Sequence, residues 1–455
     1  MGFRLLTSLL LVVASTLSGS PATSDAADPA ARKPNVLIFL GDDLGWGELG
    51  CQGNPEIPTP NIDAIAKAGV RFTQGYVSGP YCSPTRAGLM TGRYQTRFGH
   101  EFNSVAGKSG LKLSETTLAN RLKSLGYQTS AIGKWHLGGG TEYRPTARGF
   151  DEFYGTLGNT SFYDPKQFVD SRISQEIQKI TGESFYTTDK YAERAVDWLE
   201  GHKDSPWFLY VPFNAQHAPL EAPKKYLERF PNITDEKRKI FAAMLSGMDD
   251  AVGTIMNKVR DLGQEEQTLV IYLSDNGGPT RSTTSSNGEL RGFKATTWEG
   301  GVRVPFMAQW KGKIPAGTTY EHPVIQLDLL PTAIHAAGGE VDPAWKLDGV
   351  DLMPYLTGEK SSKPHETLYW RFGEQWAIRH GDHKLVVANG GGKTAELYDL
   401  SKDAGEKTNL AAADPGKVAE LQKLYDAWNA EQAPPSAPKE NPQRQERRQK
   451  RQQMK

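Results

Sequence analysis

Four short apolar runs, each followed by polar side chains, are the feature of this sequence that most constrains its fold. The runs span residues 35–40, 129–132, 208–213 and 269–273. Helical patterns that each end at a glycine span residues 60–68, 114–125, 188–200 and 240–262. Apolar runs alternating with helices are typical of an α/β fold with a parallel sheet. We therefore predict a large, mostly parallel central sheet flanked by helices.

Length and composition bound the remaining architecture. With 455 residues, of which 38% are hydrophobic, the chain can bury one large core and a smaller domain. We assign residues 33–348 to the main α/β domain. Residues 349–432 are predicted to form a smaller C-terminal subdomain, an antiparallel sheet with a packed helix. Its short alternating runs lie at residues 367–371, 375–380, 383–387 and 396–400, and its helix near residues 416–428.

The two ends of the chain differ in composition from its middle. Residues 1–26 have the form of a secretory signal peptide, in which Arg4 precedes an apolar run and small residues. We expect cleavage near Ala26 and export to the periplasm or the medium. The apolar run is too short for a membrane span, so no stable membrane insertion is expected. Residues 433–455, rich in Pro, Gln, Arg and Lys, are predicted to be a disordered basic tail.

Charge and cysteine content narrow the classes of partner. Lys and Arg together number 53, and so do Asp and Glu, so no overall field favours a nucleic acid or a membrane surface. Cys51 and Cys82 are the two cysteines, and export would permit a bridge between them. We expect none, because the motif around Cys82 indicates another role. Cys51 is then a small packing residue.

Polar residues follow each predicted strand, and in open α/β sheets ligands bind beyond the carboxyl ends of strands. The residues concerned are Asp42, Asp43, Lys134, His136, His217, Asp275 and Asn276. We expect them to meet in one pocket. The carboxylates and the amide are hard oxygen ligands that suit calcium or magnesium, although each pair alone could be a turn. If strand geometry persists, Lys134 and His136 point to the same side.

A second pair of carboxylates serves as a comparison. Asp249 and Asp250 lie in the middle of a helical pattern, not at a strand end. We predict that they form a solvent-exposed helix face without a metal.

Cys82 lies where a strand-like run meets the start of a helix. Pro84 suits the first turn of that helix and Gly92 its end, so Cys82 should sit at an N-terminus that favours anions. The run C-S-P-T-R at residues 82–86, with A-G-L-M-T-G-R behind it, resembles the signature of the type I sulfatases. These belong to the alkaline-phosphatase-like superfamily and include arylsulfatases and N-acetylgalactosamine-6-sulfatases. The resemblance extends over about residues 33–410.

The resemblance implies an unusual nucleophile. In this family a formylglycine-generating enzyme converts the cysteine to formylglycine (3-oxoalanine), and Cys82 is the matching position. An aldehyde hydrate can expel sulfate by eliminating through its second hydroxyl, whereas a sulfated serine would need water to attack sulfur again. The resemblance also implies a calcium ion, in preference to magnesium, with modified Cys82 completing its shell. The other metal ligands would be Asp42, Asp43, Asp275 and Asn276.

Roles for the remaining residues are likewise carried over from the family. Arg86 would orient the oxygen of the nucleophile, Asp275 would act as its base, and Lys134 would hold sulfate. His136 would be the base that regenerates the aldehyde. His217, together with Lys294 in the run R-G-F-K at residues 291–294, would protonate the leaving group. The C-terminal subdomain would close one wall of the pocket and select substrate shape.

The predicted function is that of a sulfuric ester hydrolase acting on a sulfated carbohydrate or an aryl sulfate. One alternative is a phosphodiesterase or phosphonate monoester hydrolase of the same superfamily. Asp275–Asn276 in place of an Asp–His pair disfavours a two-zinc phosphatase. A second alternative is a non-catalytic, exported glycan-binding protein, which the complete set of nucleophile, lysines and histidines disfavours. Segments 100–103 and 280–289 are candidates for substrate recognition.

Overall fold

The computed structural model describes residues 1–2, 32–103, 110–180, 184–388 and 394–434. The predicted signal peptide, apart from residues 1–2, and the predicted basic tail from residue 435 onward lie outside the described residues. The strands are β1 (Asn35–Gly41), β2 (Val70–Phe72), β3 (Gly75–Tyr76), β4 (Gln128–Lys134), β5 (Glu152–Thr156), β6 (Phe168–Asp170), β7 (Trp207–Pro212), β8 (Thr268–Ser274), β9 (Phe306–Gln309), β10 (Thr318–Tyr320), β11 (Val324–Ile325), β12 (Thr367–Phe372), β13 (Gln375–His380), β14 (His383–Val387) and β15 (Glu396–Asp399). The helices are α1 (Pro60–Ala68), α2 (Cys82–Thr91), α3 (Leu118–Ser124), α4 (Thr187–His202), α5 (Lys224–Leu227), α6 (Glu236–Asp261), α7 (Thr280–Thr283), α8 (Glu299–Val302), α9 (Leu329–Ala336), α10 (Met353–Leu356) and α11 (Pro415–Ala430).

Nine strands form the central sheet, in the order β10-β2-β9-β8-β1-β7-β4-β5-β6. Strands β8, β1, β7, β4 and β5 are parallel to one another, and β9 and β6 pair antiparallel at either side of this block. The predicted α/β fold is therefore confirmed. The four strands predicted from apolar runs are β4, β7, β1 and β8, which lie side by side. Their carboxyl ends consequently meet at one edge of the sheet.

Strand β1 shows why these runs are continuously apolar. Val36 and Ile38 pack into a core on one face of the sheet, whereas Leu37 and Phe39 pack into the core on the other. Helices α2, α3 and α9 contribute to the first core, and α1, α4 and α6 to the second. Because helices cover both faces, every position of β1 is buried, and each large apolar side chain contributes about 1.5–3 kcal/mol.

Helix boundaries follow capping residues that apolar patterns do not reveal. Helix α1 has the predicted bounds, but α3 begins at Leu118 and not at residue 114. Thr117 and Asn120 form a reciprocal capping box at its start, which satisfies otherwise unpaired backbone N–H groups. Helix α6 begins earlier than predicted, at Glu236, because Asp235 accepts a hydrogen bond from Arg238 N.

The C-terminal strands β12–β15 form the predicted small antiparallel sheet. Helix α11 packs against it, with Tyr425 and Trp428 in the same core as Trp370 and Ile378. Trp370 also donates a hydrogen bond from its indole nitrogen to the Val77 carbonyl, just before α2 (2.7 Å). The small sheet is thus attached close to the start of α2. In the part of the chain that the structure describes, no helix has the length and apolar character needed to span a membrane.

Asp249 is not on a solvent-exposed helix face, so that prediction is wrong for this residue. Its side chain is 2% exposed and accepts hydrogen bonds from the backbone nitrogens of Asn61 (3.0 Å) and Ile62 (2.8 Å). Helix α1 has no capping hydrogen bond from its own Thr59 side chain, and Asp249 of α6 supplies the missing acceptor. Asp250 does face outward, where it pairs with Arg229 (2.7 Å).

The capping role of Asp249 can be tested by comparing two substitutions on one helix. We expect Asp249→Ala to lower the free energy of unfolding by about 1–3 kcal/mol, because it leaves buried N–H groups of α1 unpaired. Asp250→Ala removes only an exposed ion pair and should cost less than about 1 kcal/mol. Urea denaturation of both variants measures the difference. Equal losses would contradict the capping role.

Candidate active site

Two adjacent strand ends and the start of α2 meet in one buried cluster. Asp42 and Asp43 follow β1, Asp275 and Asn276 follow β8, and Cys82 is the first residue of α2. One ligand atom from each of the three aspartates and from Cys82 lies within 4.8 Å of the others. The structure therefore brings together the predicted metal ligands, which come from three distant parts of the chain.

The atoms of this cluster suit a hard divalent cation. The side-chain nitrogen of Asn276 donates to Asp43 Oδ1 (2.7 Å), but its Oδ1 is buried and has no hydrogen-bond partner among the described residues. A buried oxygen without a partner is rare in proteins unless an ion or water satisfies it. Three carboxylates and an amide oxygen form the donor set that calcium prefers, whereas zinc prefers nitrogen and sulfur.

Two lysines neutralise the carboxylates that follow β1. Lys134, the last residue of β4, makes an ion pair with Asp42. Lys294 Nζ lies 2.6 Å from Asp43 Oδ1 and 3.2 Å from Cys82 Sγ. Burial raises the pKa of both aspartates, but the nearby positive groups together outweigh it, so both pKa values lie below the ordinary value. These groups are Lys134, His217 and Arg86 for Asp42, and Lys294 and His217 for Asp43. Both carboxylates are therefore ionised at neutral pH.

Arg86 is fully buried and its donors are directed at two strand ends. Its Nε and Nη2 donate to Asp275 Oδ2 (3.0 and 2.8 Å), and its Nη1 donates to the Lys134 carbonyl. Burial and repulsion by Asp42 raise the pKa of Asp275, while Arg86 opposes this effect. The residue predicted to orient the nucleophile thus also orients a predicted metal ligand.

Cys82 is poorly suited to act as a thiolate. Its Sγ is fully buried and lies 3.4 Å from Asp42 Oδ1, and both cysteines of the chain are free. Burial, together with the nearby charges of Asp275 and Asp42, raises the pKa of the Cys82 thiol well above its ordinary value. A thiol is a nucleophile only after ionisation. Burial and the two carboxylates therefore oppose formation of the thiolate in the unmodified side chain.

His136 lies close enough to Lys134 and Arg86 for their charges to act on it, but, contrary to the expectation from the sequence, it is not part of a continued strand. Strand β4 ends at Lys134, and His136 has a φ of 59°, so strand alternation does not reach it. The Ser83 hydroxyl holds this turn: it lies 2.6 Å from the His136 carbonyl oxygen and 2.7 Å from His100 Nε2. Burial, then Lys134 and Arg86, lower the pKa of His136 well below its usual range. Its imidazole is thus neutral and can accept a proton.

His217 approaches the cluster from the loop after β7. Its Nε2 lies 3.8 Å from Asp43 Oδ2, and its side chain is 18% exposed, more than Asp43 or Lys294. It therefore lies on the solvent side of the cluster. The preceding Gln216 is fully buried, and neither polar atom of its side chain has a partner among the described residues. Sequence reasoning passed over Gln216, although its place after a predicted strand was a usable signal.

The two segments predicted for substrate recognition have mainly internal contacts where they are described. His100 contacts Ser83, and Glu101 is fully buried beside Arg371. In the second segment, the Asn287 side chain accepts from Gly278 N (2.8 Å). His100, Glu101 and Asn287 thus have partners within the protein, whereas Arg281, Ser282, Gly288 and Glu289 are exposed. No signal in the sequence distinguished such internal contacts from substrate contact.

The sequence and the fold of this chain are similar to those of known proteins. The protein-family model described as Sulfatase matches residues 34–339, and one described as N-sulphoglucosamine sulphohydrolase, C-terminal, matches residues 288–429. Human arylsulfatase A is 35% identical, over 86% of this chain and 86% of its own. N-acetylgalactosamine-6-sulfatase from Sus scrofa is 31% identical, over 87% and 85%. The crystal structure of Ps i-CgsB in complex with k-i-k-neocarrahexaose superposes with a TM-score of 0.82 at 32% identity, over 89% and 94%.

The surroundings of the buried Cys82 and the partly buried Cys51 predict how both thiols react in the unmodified protein. The pKa of Cys51 is raised to about 12, mainly by burial, and that of Cys82 is also raised. At pH 8 we expect an aromatic disulfide reagent to label either thiol at least about 100-fold more slowly than free cysteine. Chain produced without a converting enzyme is the sample, and stopped-flow absorbance is the measurement. Unfolding in urea should restore fast labelling. Fast labelling of Cys82 in the folded protein would contradict the inference that its surroundings suppress ionisation of the thiol.

Proposed function

This chain belongs to the sulfatase family, and on that premise we propose that it hydrolyses sulfate esters of carbohydrates with a formylglycine at position 82 and a calcium ion. The observation that carries the proposal is the environment of Cys82. A helix N-terminus, three carboxylates and two lysines surround a thiol that stays protonated. Such a site is arranged for anion chemistry, whereas burial opposes ionisation of the thiol. Conversion to an aldehyde would give residue 82 a hydrate with two hydroxyls, one to attack sulfur and one through which sulfate is eliminated.

Asp42, Asp43, Asp275 and Asn276 would hold the calcium ion. The unpaired Asn276 Oδ1 and the closeness of the three carboxylates support this assignment. When bound, the cation supplies positive charge that activates the nucleophile oxygen and balances the charge of sulfate. Arg86 contributes by fixing the orientation of Asp275 through two hydrogen bonds.

The cations of the site would bind sulfate and its leaving group. Lys134 and Lys294 each reach a ligand carboxylate, and Lys294 also reaches the side chain of residue 82. Their ammonium groups would hold sulfate oxygens. His217, on the solvent side, would with Lys294 deliver a proton to the leaving oxygen, which a sugar alkoxide requires. Neutral His136, held by Ser83, would accept a proton from the hydroxyl of residue 82 after sulfate transfer.

Several relatives support a carbohydrate or aryl sulfate as substrate. The names of N-acetylgalactosamine-6-sulfatase and arylsulfatase A specify a sugar sulfate and an aryl sulfate, and Ps i-CgsB binds a neocarrahexaose. We propose that the chain meets its saccharide substrate after export to the periplasm or medium. A formylglycine-generating enzyme would act on it during maturation. The predicted signal peptide supports the export step.

The proposed reaction can be tested with two substrates that differ only in the ester group and with a substitution of each cysteine. With the mature enzyme, we expect kcat/KM for a nitrophenyl sulfate to exceed that for the corresponding phosphate by at least about 100-fold, because the site is built for one activated nucleophile and a sulfate monoester. Cys82→Ala should abolish turnover. Cys51→Ala is the control and should retain it. Preference for phosphate would favour the phosphodiesterase or phosphonate hydrolase alternative, and activity in Cys82→Ala would contradict the mechanism.

Calcium dependence can be tested by stability as well as activity. Chelation should abolish turnover, and added calcium should restore it better than magnesium. A ligand at 100 times its Kd stabilises the folded state by about 2.7 kcal/mol, so calcium should raise the Tm of the wild type. Asp43→Asn should lose this shift, while Asp250→Asn, which alters a carboxylate outside the cluster, should keep it. An equal calcium-induced shift in both variants would contradict the assigned site.

A further inference from the structure

One loop carries Lys294 into the catalytic cluster. Residues 291–301, here called the Lys294 loop, run into the start of α8 and are closed by a hydrogen bond from Gly300 N to the Arg291 carbonyl (2.6 Å). Within the loop, Ala295 has a φ of 67°, a left-handed conformation that residues other than glycine adopt rarely. A backbone in this region persists only when its surroundings hold it there. The contacts around the loop therefore bear on the position of Lys294.

The small antiparallel sheet supplies contacts along most of the loop. Gln375 Nε2 donates to the Ala295 carbonyl (2.9 Å), and Arg291 Nη1 donates to the Tyr398 hydroxyl (2.9 Å). Thr297 Oγ1 lies 3.4 Å from one carbonyl oxygen of β13 and 3.4 Å from one of β14. Three strands of the sheet thus reach the Lys294 loop.

The sheet also contacts the Lys294 loop through a fully buried ion cluster. Lys384 Nζ on β14 lies 2.9 Å from Glu299 Oε1 and 2.9 Å from Glu406 Oε1, and all three side chains are fully buried. Glu406 also accepts a hydrogen bond from Glu299 N (2.7 Å). Tyr76, which precedes α2, donates to the other oxygen of Glu299 (2.7 Å). Glu299 belongs to the Lys294 loop, so the cluster joins that loop to the small sheet.

Lys384 is central to the cluster because its ammonium pairs with both carboxylates. Burial opposes its ionisation, but Glu299 and Glu406 raise the pKa of Lys384 above its ordinary value. Despite burial, Lys384 and Arg303 hold the pKa of Glu299 at about 2, while burial raises that of Glu406 to about 7. Removing the ammonium would therefore leave buried negative charge without its main partner.

Lys294 itself extends from the opposite side of the loop. Its Nζ contacts Asp43 and Cys82, whereas the next residue, Ala295, donates its backbone N–H to the Pro80 carbonyl (2.8 Å). The loop therefore connects the small sheet on one side with the start of α2 and the catalytic cluster on the other. A shift of the loop would move the ammonium relative to the reacting groups.

We propose that the small antiparallel sheet holds Lys294 in its catalytic position, with Lys384 as the central positioning residue. The inference rests on the proposed function, in which Lys294 acts at the leaving oxygen. The C-terminal subdomain would then have a second role, besides the predicted selection of substrate shape. Selection of substrate shape alone would not require a buried ammonium between two carboxylates. Apolar residues of similar volume often stabilise a fold equally well.

Two substitutions of different severity test this role. Lys384→Met removes the ammonium, and Gln375→Ala removes an uncharged side chain that donates to the Ala295 carbonyl. We expect both to lower kcat more than they raise KM. The loss should be greater for a sugar sulfate than for a nitrophenyl sulfate, because proton delivery matters most for a poor leaving group. A positioned acid contributes about 10²–10⁴-fold, so we expect Lys384→Met to lose at least about tenfold more with the sugar sulfate.

Hydrogen–deuterium exchange gives a readout that does not depend on turnover. Exchange of residues 291–301 should become faster in Lys384→Met and, to a lesser degree, in Gln375→Ala. Lys402→Met is the matched control: Lys402 pairs with Asp399 at the edge of the same sheet, but its side chain is 82% exposed. It should leave both the exchange of the loop and the leaving-group dependence unchanged.

The outcomes separate this inference from the proposed function. If the wild type does not hydrolyse sulfate esters, the proposed function fails, while the exchange measurement still reports whether the sheet holds the loop. If turnover is present but Gln375→Ala and Lys384→Met lose activity equally on both substrates with unchanged loop exchange, the positioning role is wrong. If Lys384→Met does not fold, the leaving-group dependence and the loop exchange of Gln375→Ala alone test the positioning role.

Discussion

The buried ion pair between Arg86 and Asp275 is the interaction on which the rest of the site depends. Arg86 lies on the first turn of α2, Asp275 follows β8, and the same guanidinium binds the last carbonyl of β4. One fully buried side chain thus fixes the helix that begins with Cys82 against two strand ends. Breaking a buried pair of this kind costs about 3–5 kcal/mol, since one charge remains unpaired. The catalytic arrangement and the packing of α2 are therefore difficult to change separately.

The same charges explain why this site suits a modified residue. Burial, together with carboxylates that would ligate a cation, raises the pKa of the Cys82 thiol and so works against a thiolate. In the proposed mechanism a hydrated aldehyde would instead offer two hydroxyls, one to attack sulfur and one to eliminate sulfate. Lys294 connects this chemistry to the C-terminal sheet through a loop of eleven residues, numbered 291–301. A subdomain expected to shape the pocket thereby gains a link to catalysis.

Sequence patterns predicted the parts of the structure that depend on local composition. Strands buried on both faces must be continuously apolar, so β1 and β8 were evident, and polar residues directly after them marked the cluster. Contacts between distant segments were not predictable: Asp249 caps a helix that begins at Pro60, and Lys384 binds Glu299. The left-handed turn at His136 also left no pattern, because it depends on the Ser83 hydroxyl and not on strand alternation.

The central claim is that residue 82 acts as an aldehyde and not as a thiol. The most direct measurement is mass spectrometry of the peptide that contains residue 82, made on preparations whose conversion is varied by the supply of formylglycine-generating enzyme. Turnover of an aryl sulfate is measured on the same preparations. We predict that specific activity rises in proportion to the converted fraction and reaches zero when that fraction is zero. Full activity in protein that carries only the unmodified cysteine would contradict the account.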